Sequence, residues 1–335
     1  MTKAFTQGHA LVVGVGDDLP NTVMDAEGIA GILTDKGRCA YPPKQVLLLT
    51  GKEAQRADIC SGLDALSEVG PESSVIIYFS GHGYCVENSD GKAYYLMPFG
   101  YKLNKLEQTA ISGSEFAKRL GAIKAQKLLL LLDCCHAGGL GETKAPGLTL
   151  TKSPLPAEAQ SLMAAGSGRI IIASSQEDEL SYAGDPYSAF TLALVEALSG
   201  IGNSKNDGYV RVSDLALHAR EMVPQRTDNK QHPILSWEKA DNFIMAYYAG
   251  GEAKPKGLPF DVEPRIEPRP GAGVVKVFDQ TGQQVETQVN VEKMSGGFIQ
   301  PGWVVHGNVN QAQGDIHISE QTAKSLRRKK PDENS

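Results

Sequence analysis

Cysteine is scarce in this 335-residue chain: there are five, an odd number, at Cys39, Cys60, Cys85, Cys134 and Cys135. No CxxC pair occurs and two of the five are adjacent, so neither a disulfide framework nor a paired zinc motif is indicated. There is no surplus of positive charge. The formal net charge is −6, which argues against a general nucleic-acid binder and against binding to anionic membranes. The basic cluster 327–330 reads as a solvated tail. The apolar run that begins at Lys127 is far too short to span a bilayer. The N-terminal MTKAFTQGHALVVGV is too short and too mixed for a signal peptide, and reduced cytoplasm is the expected compartment. Apolar and charged fractions of 41% and 21% are ordinary for a soluble globular protein with room for one large or two smaller domains.

Two apolar runs stand out against that background. Residues 127–140 read KLLLLLDCCHAGGL, and residues 74–85 read SVIIYFSGHGYC. Runs this short and this apolar suit strands buried on both faces of a parallel sheet. Each breaks abruptly into polar and small residues at its C-terminal end, where open α/β sheets place their sites. The pair would deliver His82 and one or two cysteines to the same sheet edge.

Strand-like segments at 9–15, 45–49, 74–79, 93–98, 127–132 and 169–174 alternate with helical patterns at 21–33, 57–69, 114–120, 190–198 and 212–222. That alternation predicts an α/β fold with a mainly parallel central sheet flanked by helices. The first strand ends in GVGDDLP, which keeps Gly14 and Gly16 of a dinucleotide loop but has Leu19 in the third glycine's place, so a Rossmann site is discounted. Residues 141–168 form a long polar stretch containing Lys144 and Lys152, and loops of that length in compact domains are usually functional. The main domain is expected over 1–250, followed by a Pro/Gly linker at 251–273. A small β segment is expected at 274–319 and a charged, disordered tail at 320–335.

A free thiol, with its pKa about 8.5, is only a few per cent thiolate at neutral pH, yet it is intrinsically nucleophilic. A positioned histidine adds roughly 10²–10⁴-fold by acid–base transfer. Gly83 and Gly138 are expected to let the backbone turn sharply, and the Gly83 amide to face a developing oxyanion. A lone buried cysteine is ordinarily a small packing residue. Here the convergence of two strand ends, each flanked by glycine, favours a site. A zinc site of His82, Cys134 and Cys135 is opposed by geometry, since adjacent residues of an extended chain point opposite ways.

The motifs IIYFSGHG (76–83) and LLLLDCCHAGG (129–139), supported by MDAEGIAGIL and by IIASS followed by SAFTLALVEAL, resemble the caspase-like superfamily of cysteine proteases. The resemblance is closest to metacaspases and the bacterial orthocaspases, and it runs from about His9 to about Tyr248. His82 and Cys135 stand 53 residues apart (135 − 82), close to the spacing of about 50 known for caspases. It implies a caspase-hemoglobinase fold, His82 as catalytic acid/base, Cys135 as nucleophile, and the amides of Gly83 and Cys135 as oxyanion donors. Cys134 and Ala137 depart from the serines usual in metacaspases, without touching the dyad.

The resemblance further implies an S1 pocket of Asp25, Ser80 and Asp133 that favours Lys or Arg at P1. His136 takes the position at which caspases carry an acid-reading arginine. For Asp25 the alternative is a helix N-terminal carboxylate held by the macrodipole. Residues 141–168 would be the inter-subunit linker, with Lys144, Lys152 and Arg169 as candidate points of self-cleavage. No metal site or cofactor is assigned; calcium is a candidate at Glu177, Asp178 and Glu179, against a plain solvated loop. Residues 296–319 resemble short association motifs that recruit an effector to a sensor or adaptor by strand pairing, or else cap the domain as a hairpin. The expected activity is that of a latent cysteine endopeptidase acting on protein substrates in bacterial immunity or cell death, with no nucleic-acid or membrane partner. The alternatives are an inert caspase-fold scaffold and a protease with acidic or small P1 preference.

Overall fold

The computed structural model describes residues 3–88, 91–135, 143–145, 148–152, 168–176, 179, 181–237 and 240–268. The chain divides between Gln288 and Val289, and every described residue lies on the N-terminal side of that division. The segments expected at 274–319 and 320–335 lie outside the described residues.

In chain order the elements begin with β1 (Gly8–Gly14), α1 (Asn21–Thr34), β2 (Val46–Thr50), α2 (Arg56–Leu66), β3 (Ser74–Asn88) and β4 (Gly91–Met97). There follow α3 (Leu106–Thr109), β5 (Ile111–Ser112), α4 (Gly113–Ala122), β6 (Lys127–Cys135), β7 (Thr143–Ala145) and β8 (Leu148–Lys152). The described chain continues with β9 (Arg169–Ala173), β10 (Tyr182–Asp185), α5 (Ala189–Leu198), β11 (Tyr209–Arg211) and α6 (Val212–Arg226). It closes with β12 (Ile234–Ser236), β13 (Ile244–Tyr247) and β14 (Arg265–Pro268).

The central path of the main sheet runs β12-β9-β6-β3-β1-β2. The five strands from β9 to β2 are parallel to their neighbours, and β12 is antiparallel to β9. This is the mainly parallel α/β architecture expected from the alternation of patterns. The chain starts inside the sheet at β1, steps out to β2, then returns on the other side of β1 as β3. The boundary between β1 and β3 is therefore a topological switch point, where open α/β sheets form their ligand crevice.

Period-two alternation sorts the strand side chains onto two faces. Val12, Ile76, Tyr78, Leu129, Leu131, Ile170 and Ile172 join one core with Ala26 and Ile29 of α1, Phe190 of α5 and Leu215 of α6. Val13, Val75, Phe79, Leu130, Leu132 and Ala173 join the other with Ile59 and Leu63 of α2 and Phe116 of α4. Both halves of the leucine run 128–132 are at most 1% exposed, and burial of each such side chain is worth about 1.5–3 kcal/mol. A strand clamped between two layers in this way makes a stiff support for whatever follows it.

Two sequence expectations need correction. The chain does not turn at Gly83. The strand expected to stop at Phe79 continues to Asn88, with Gly83 opposite Leu96 and Tyr84 opposite both Tyr95 and Lys152. Glycine permits a turn without compelling one, and here β4 and β8 offer ladder partners to the extended backbone. Nor is 141–168 wholly loop: β7 and β8 pair antiparallel, and β8 adds to β3. In the stretch read as linker, β14 pairs with β10, and Arg38 donates to the carbonyls of Gly257 and Leu258 at 3.2 and 2.9 Å. Among the described residues no helix is long and apolar enough to cross a membrane.

Candidate active site

The parallel register of β3 and β6 brings the two motifs together residue by residue. Ser80 pairs with Asp133, Gly81 with Cys134 and His82 with Cys135. Neighbouring strands lie about 4.7–4.9 Å apart, so the backbones of His82 and Cys135 are immediate neighbours. Alternation accounts for the burial of Cys134. Cys134 falls in the register of Leu130 and Leu132 and is buried with them against α2 and α4.

His82 is 2% exposed. Its Nε2 lies 2.8 Å from both carboxylate oxygens of Asp18, whose side chain is 53% exposed. The imidazole also meets the Tyr84 ring edge-on, with centroids 6.1 Å apart. Burial, followed by the Tyr101 and Asp18 charges, pushes the Tyr84 phenol well above its ordinary value.

Deeper in the same face lie two carboxylates, Asp25 on α1 and Asp133 on β6, both fully buried. Ser188 joins them. Its amide donates to Asp25 Oδ1 at 2.7 Å and its hydroxyl to Asp133 Oδ2 at 2.8 Å, while Ser181 Oγ donates to Asp133 Oδ1 at 3.0 Å. Ser188 is also the N-cap of α5, its Oγ accepting from the Thr191 amide at 3.1 Å. Gln231 braces the segment that carries Ser181, accepting from the Tyr182 amide and donating to the Ser174 carbonyl. Burial, then the charges of Asp25 and Asp133, push the Tyr78 phenol well above its usual range. Asp25 is the fifth residue of α1, beyond the first turn, so its role is a buried hydrogen-bonded one and not that of a surface carboxylate on the macrodipole.

Glycine explains how α1 and the Ser188 segment approach so closely. A Cβ on Gly28 would come 2.3 Å from the Tyr187 ring. Only hydrogen at that position lets Tyr187 lie on α1, one residue before the amide that reaches Asp25.

Of the residues singled out from sequence, the fold thus gathers His82, Gly83, Ser80, Asp133, Asp25 and the backbone of Cys135 at one end of the parallel sheet. His136 and Gly138 lie outside the described residues. Lys144 is in β7 opposite Thr149, Lys152 is in β8 opposite Tyr84, and Arg169 opens β9 with its guanidinium donating to the Leu120 carbonyl at 2.9 Å. Glu179 directs its carboxylate to the amides of Gln176 and His232 and to the His232 ring; Glu177 and Asp178 lie outside the described residues. Among the described residues no group of three or more His, Cys, Asp or Glu is arranged to hold a metal ion.

Sequence reasoning missed Asp18, Ser181, Ser188 and Gln231. One signal was available for Asp18: GVGDD ends a strand whose parallel neighbour ends in SGHG, so both termini reach the same edge. Ser188 carried the N-cap signal of a serine directly before an apolar helix, which predicts the cap but not the carboxylates.

A buried parallel strand pair that ends in a histidine and a cysteine at a switch point defines a class, that of α/β hydrolytic domains with their chemistry at the sheet's C-terminal edge. The model of the caspase domain family matches residues 7–244; the chain belongs to that family, whose members are cysteine peptidases acting on proteins and peptides. Among solved structures it is similar to the protein GSU0716 of Geobacter sulfurreducens, at 18% identity and a TM-score of 0.48, over 72% of this chain and 96% of that one. No curated protein matches.

Proposed function

We propose that this protein is a cysteine endopeptidase of the metacaspase type that cleaves after Lys or Arg. The observation that carries the reading is the register pairing His82 with Cys135 on adjacent buried strands. In this reading the Cys135 thiol yields its proton to His82 and sulfur bonds to the scissile carbonyl carbon. The oxyanion is held by the amides of Gly83 and Cys135. The proton then passes from His82 to the leaving amine as the C–N bond breaks, and water hydrolyses the thioester.

Asp25, Asp133 and Ser80 form the S1 pocket. The support is that both carboxylates are fully buried and share one serine, which concentrates negative charge at that end of the sheet. Burial of ions is repaid only by good pairing, and a P1 cation adds to it. Discrimination against neutral P1 residues then reaches roughly 10²–10³-fold, each tenfold step being about 1.4 kcal/mol. The enzyme is a latent effector of bacterial immunity or cell death, matured by cleavage at Lys144, Lys152 or Arg169. Residues 296–319 recruit it to a sensor or adaptor. The ladder pairing of Lys144 and Lys152 means that β7 and β8 must peel away before either can be cut.

Labelling tests the assignment. An arginyl chloromethyl ketone should alkylate the wild-type chain at Cys135 alone, as mapped by peptide mass spectrometry. Modification at Cys134 instead, or none under any activating condition, would overturn it.

A further inference from the structure

The geometry points to Asp18 as a positioning residue for His82, the third member of a Cys135–His82–Asp18 relay; the inference rests on the protease reading above. Asp18 reaches His82 Nε2 with both oxygens at 2.8 Å. A neutral imidazole donates from one nitrogen and accepts at the other. A carboxylate at Nε2 therefore selects the tautomer with its proton on Nε2 and makes Nδ1 the acceptor for the thiol's proton. When that proton arrives, the same carboxylate faces a full imidazolium. Asp18 keeps its hydrogen bond throughout and takes up no proton.

The carboxylate is presented by a built turn, not a stray surface side chain. Gly16 and Asp17 both have left-handed backbones, with φ of 71° and 58°. The Leu19 amide closes the turn on the Gly16 carbonyl at 3.0 Å. Thr22, fully buried, accepts from the Gly16 amide and donates to the Leu19 carbonyl, both at 2.8 Å. One residue earlier, the Val15 amide donates to the Ser80 carbonyl at 3.0 Å, which ties the end of β1 to β3. A non-glycine residue held at positive φ by this many contacts marks an over-determined segment, as functional turns tend to be. The turn also stands at the β1/β3 switch point, where the crevice of such a sheet opens. Among the described side chains, the titratable groups around the pair are Asp17 of the same turn, Tyr84 on β3 and Tyr101 after β4.

The test compares wild type, Asp18→Asn, Asp17→Asn and Cys135→Ala, each full length, on a fluorogenic peptide ending in Arg. Asp18→Asn should lower kcat by at least roughly 10-fold and by as much as ~10⁴-fold, the loss when the carboxylate behind a hydrolase's imidazole becomes an amide. KM and the melting temperature should hold. The acidic limb of kcat/KM should move to lower pH, because an adjacent carboxylate favours the charged imidazole and its removal leaves the base neutral at lower pH. Asp17→Asn, which keeps a residue tolerant of positive φ, should behave as wild type. A kcat for Asp18→Asn within about twofold of wild type, or a rise in KM alone, would overturn the positioning role. If Asp18→Asn melts early, kcat measured well below its melting point decides in the same way. No turnover by wild type on any peptide removes the protease reading and this inference with it, an outcome separate from an active wild type that ignores Asp18→Asn.

Discussion

Ser188 holds more of the site together than any other residue outside the two motifs, through one amide and one hydroxyl spent on two carboxylates and a helix cap. Ser188→Ala removes the hydroxyl from Asp133 and the cap from α5, at a cost of about 1–3 kcal/mol for a buried acceptor left short of its donor. Thermal unfolding should show that loss, with P1 selectivity loosened in the surviving folded enzyme. Asp133→Asn should act on selectivity more than on stability: kcat/KM for Arg peptides falls by about 10²-fold relative to neutral P1, measured over a P1 series. The meeting of His82 with position 135 was legible in the sequence because histidine and cysteine are scarce and each ends an apolar run. Asp18, Ser181 and Ser188 were not, because acids and serines are common. Their partners also lie 48 to 163 residues away in the chain, a pairing that only the fold determines.

At the scale of elements, α1 and α5 set the spacing of Asp25, Ser188 and Asp133. Gly28→Ala on α1 forces the Tyr187 ring away, an overpacking that should cost about 1–3 kcal/mol and, by shifting Ser188, depress activity on Arg peptides. Calorimetry and turnover should therefore fall together in this variant. Helix α5 is fastened to α6 by Glu196, which accepts from His218 at 2.8 Å and Arg226 at 2.6 Å. Burial raises the Glu196 pKa, but the hydrogen bonds and charges of His218 and Arg226 outweigh it and leave the carboxyl below its ordinary value of 4.5. A depressed carboxylate contributes stability that is present above that value and lost as pH falls through the folded pKa. Melting temperature should accordingly drop as pH is lowered past about 4.5, and Glu196→Gln should flatten that drop. The strands and helices themselves were largely legible, since alternating faces and buried leucine runs leave a strong pattern. The continuation of β3 through Gly81 and Gly83 was not, because ladder partners from β4 and β8 override a local turn preference.

For the whole molecule, the segment after β13 belongs structurally to the α/β domain, through β14 on β10 and Arg38 on the 257–258 carbonyls. A chain ending at Tyr248 should melt lower than one ending at Pro268, as calorimetry would show. The family and its sheet were readable from two motifs and their spacing; the burial of Cys134 against α2 and α4 became definite only with the strands in register. The central claim is that this register makes a working protease with a basic P1 pocket. It is tested most directly by incubating wild type, Cys134→Ala and Cys135→Ala with fluorogenic peptides ending in Arg, Lys or Asp. The account predicts turnover of the Arg and Lys peptides by wild type and Cys134→Ala, and none by Cys135→Ala. Turnover of the Asp peptide alone, or activity that survives in Cys135→Ala, would contradict it.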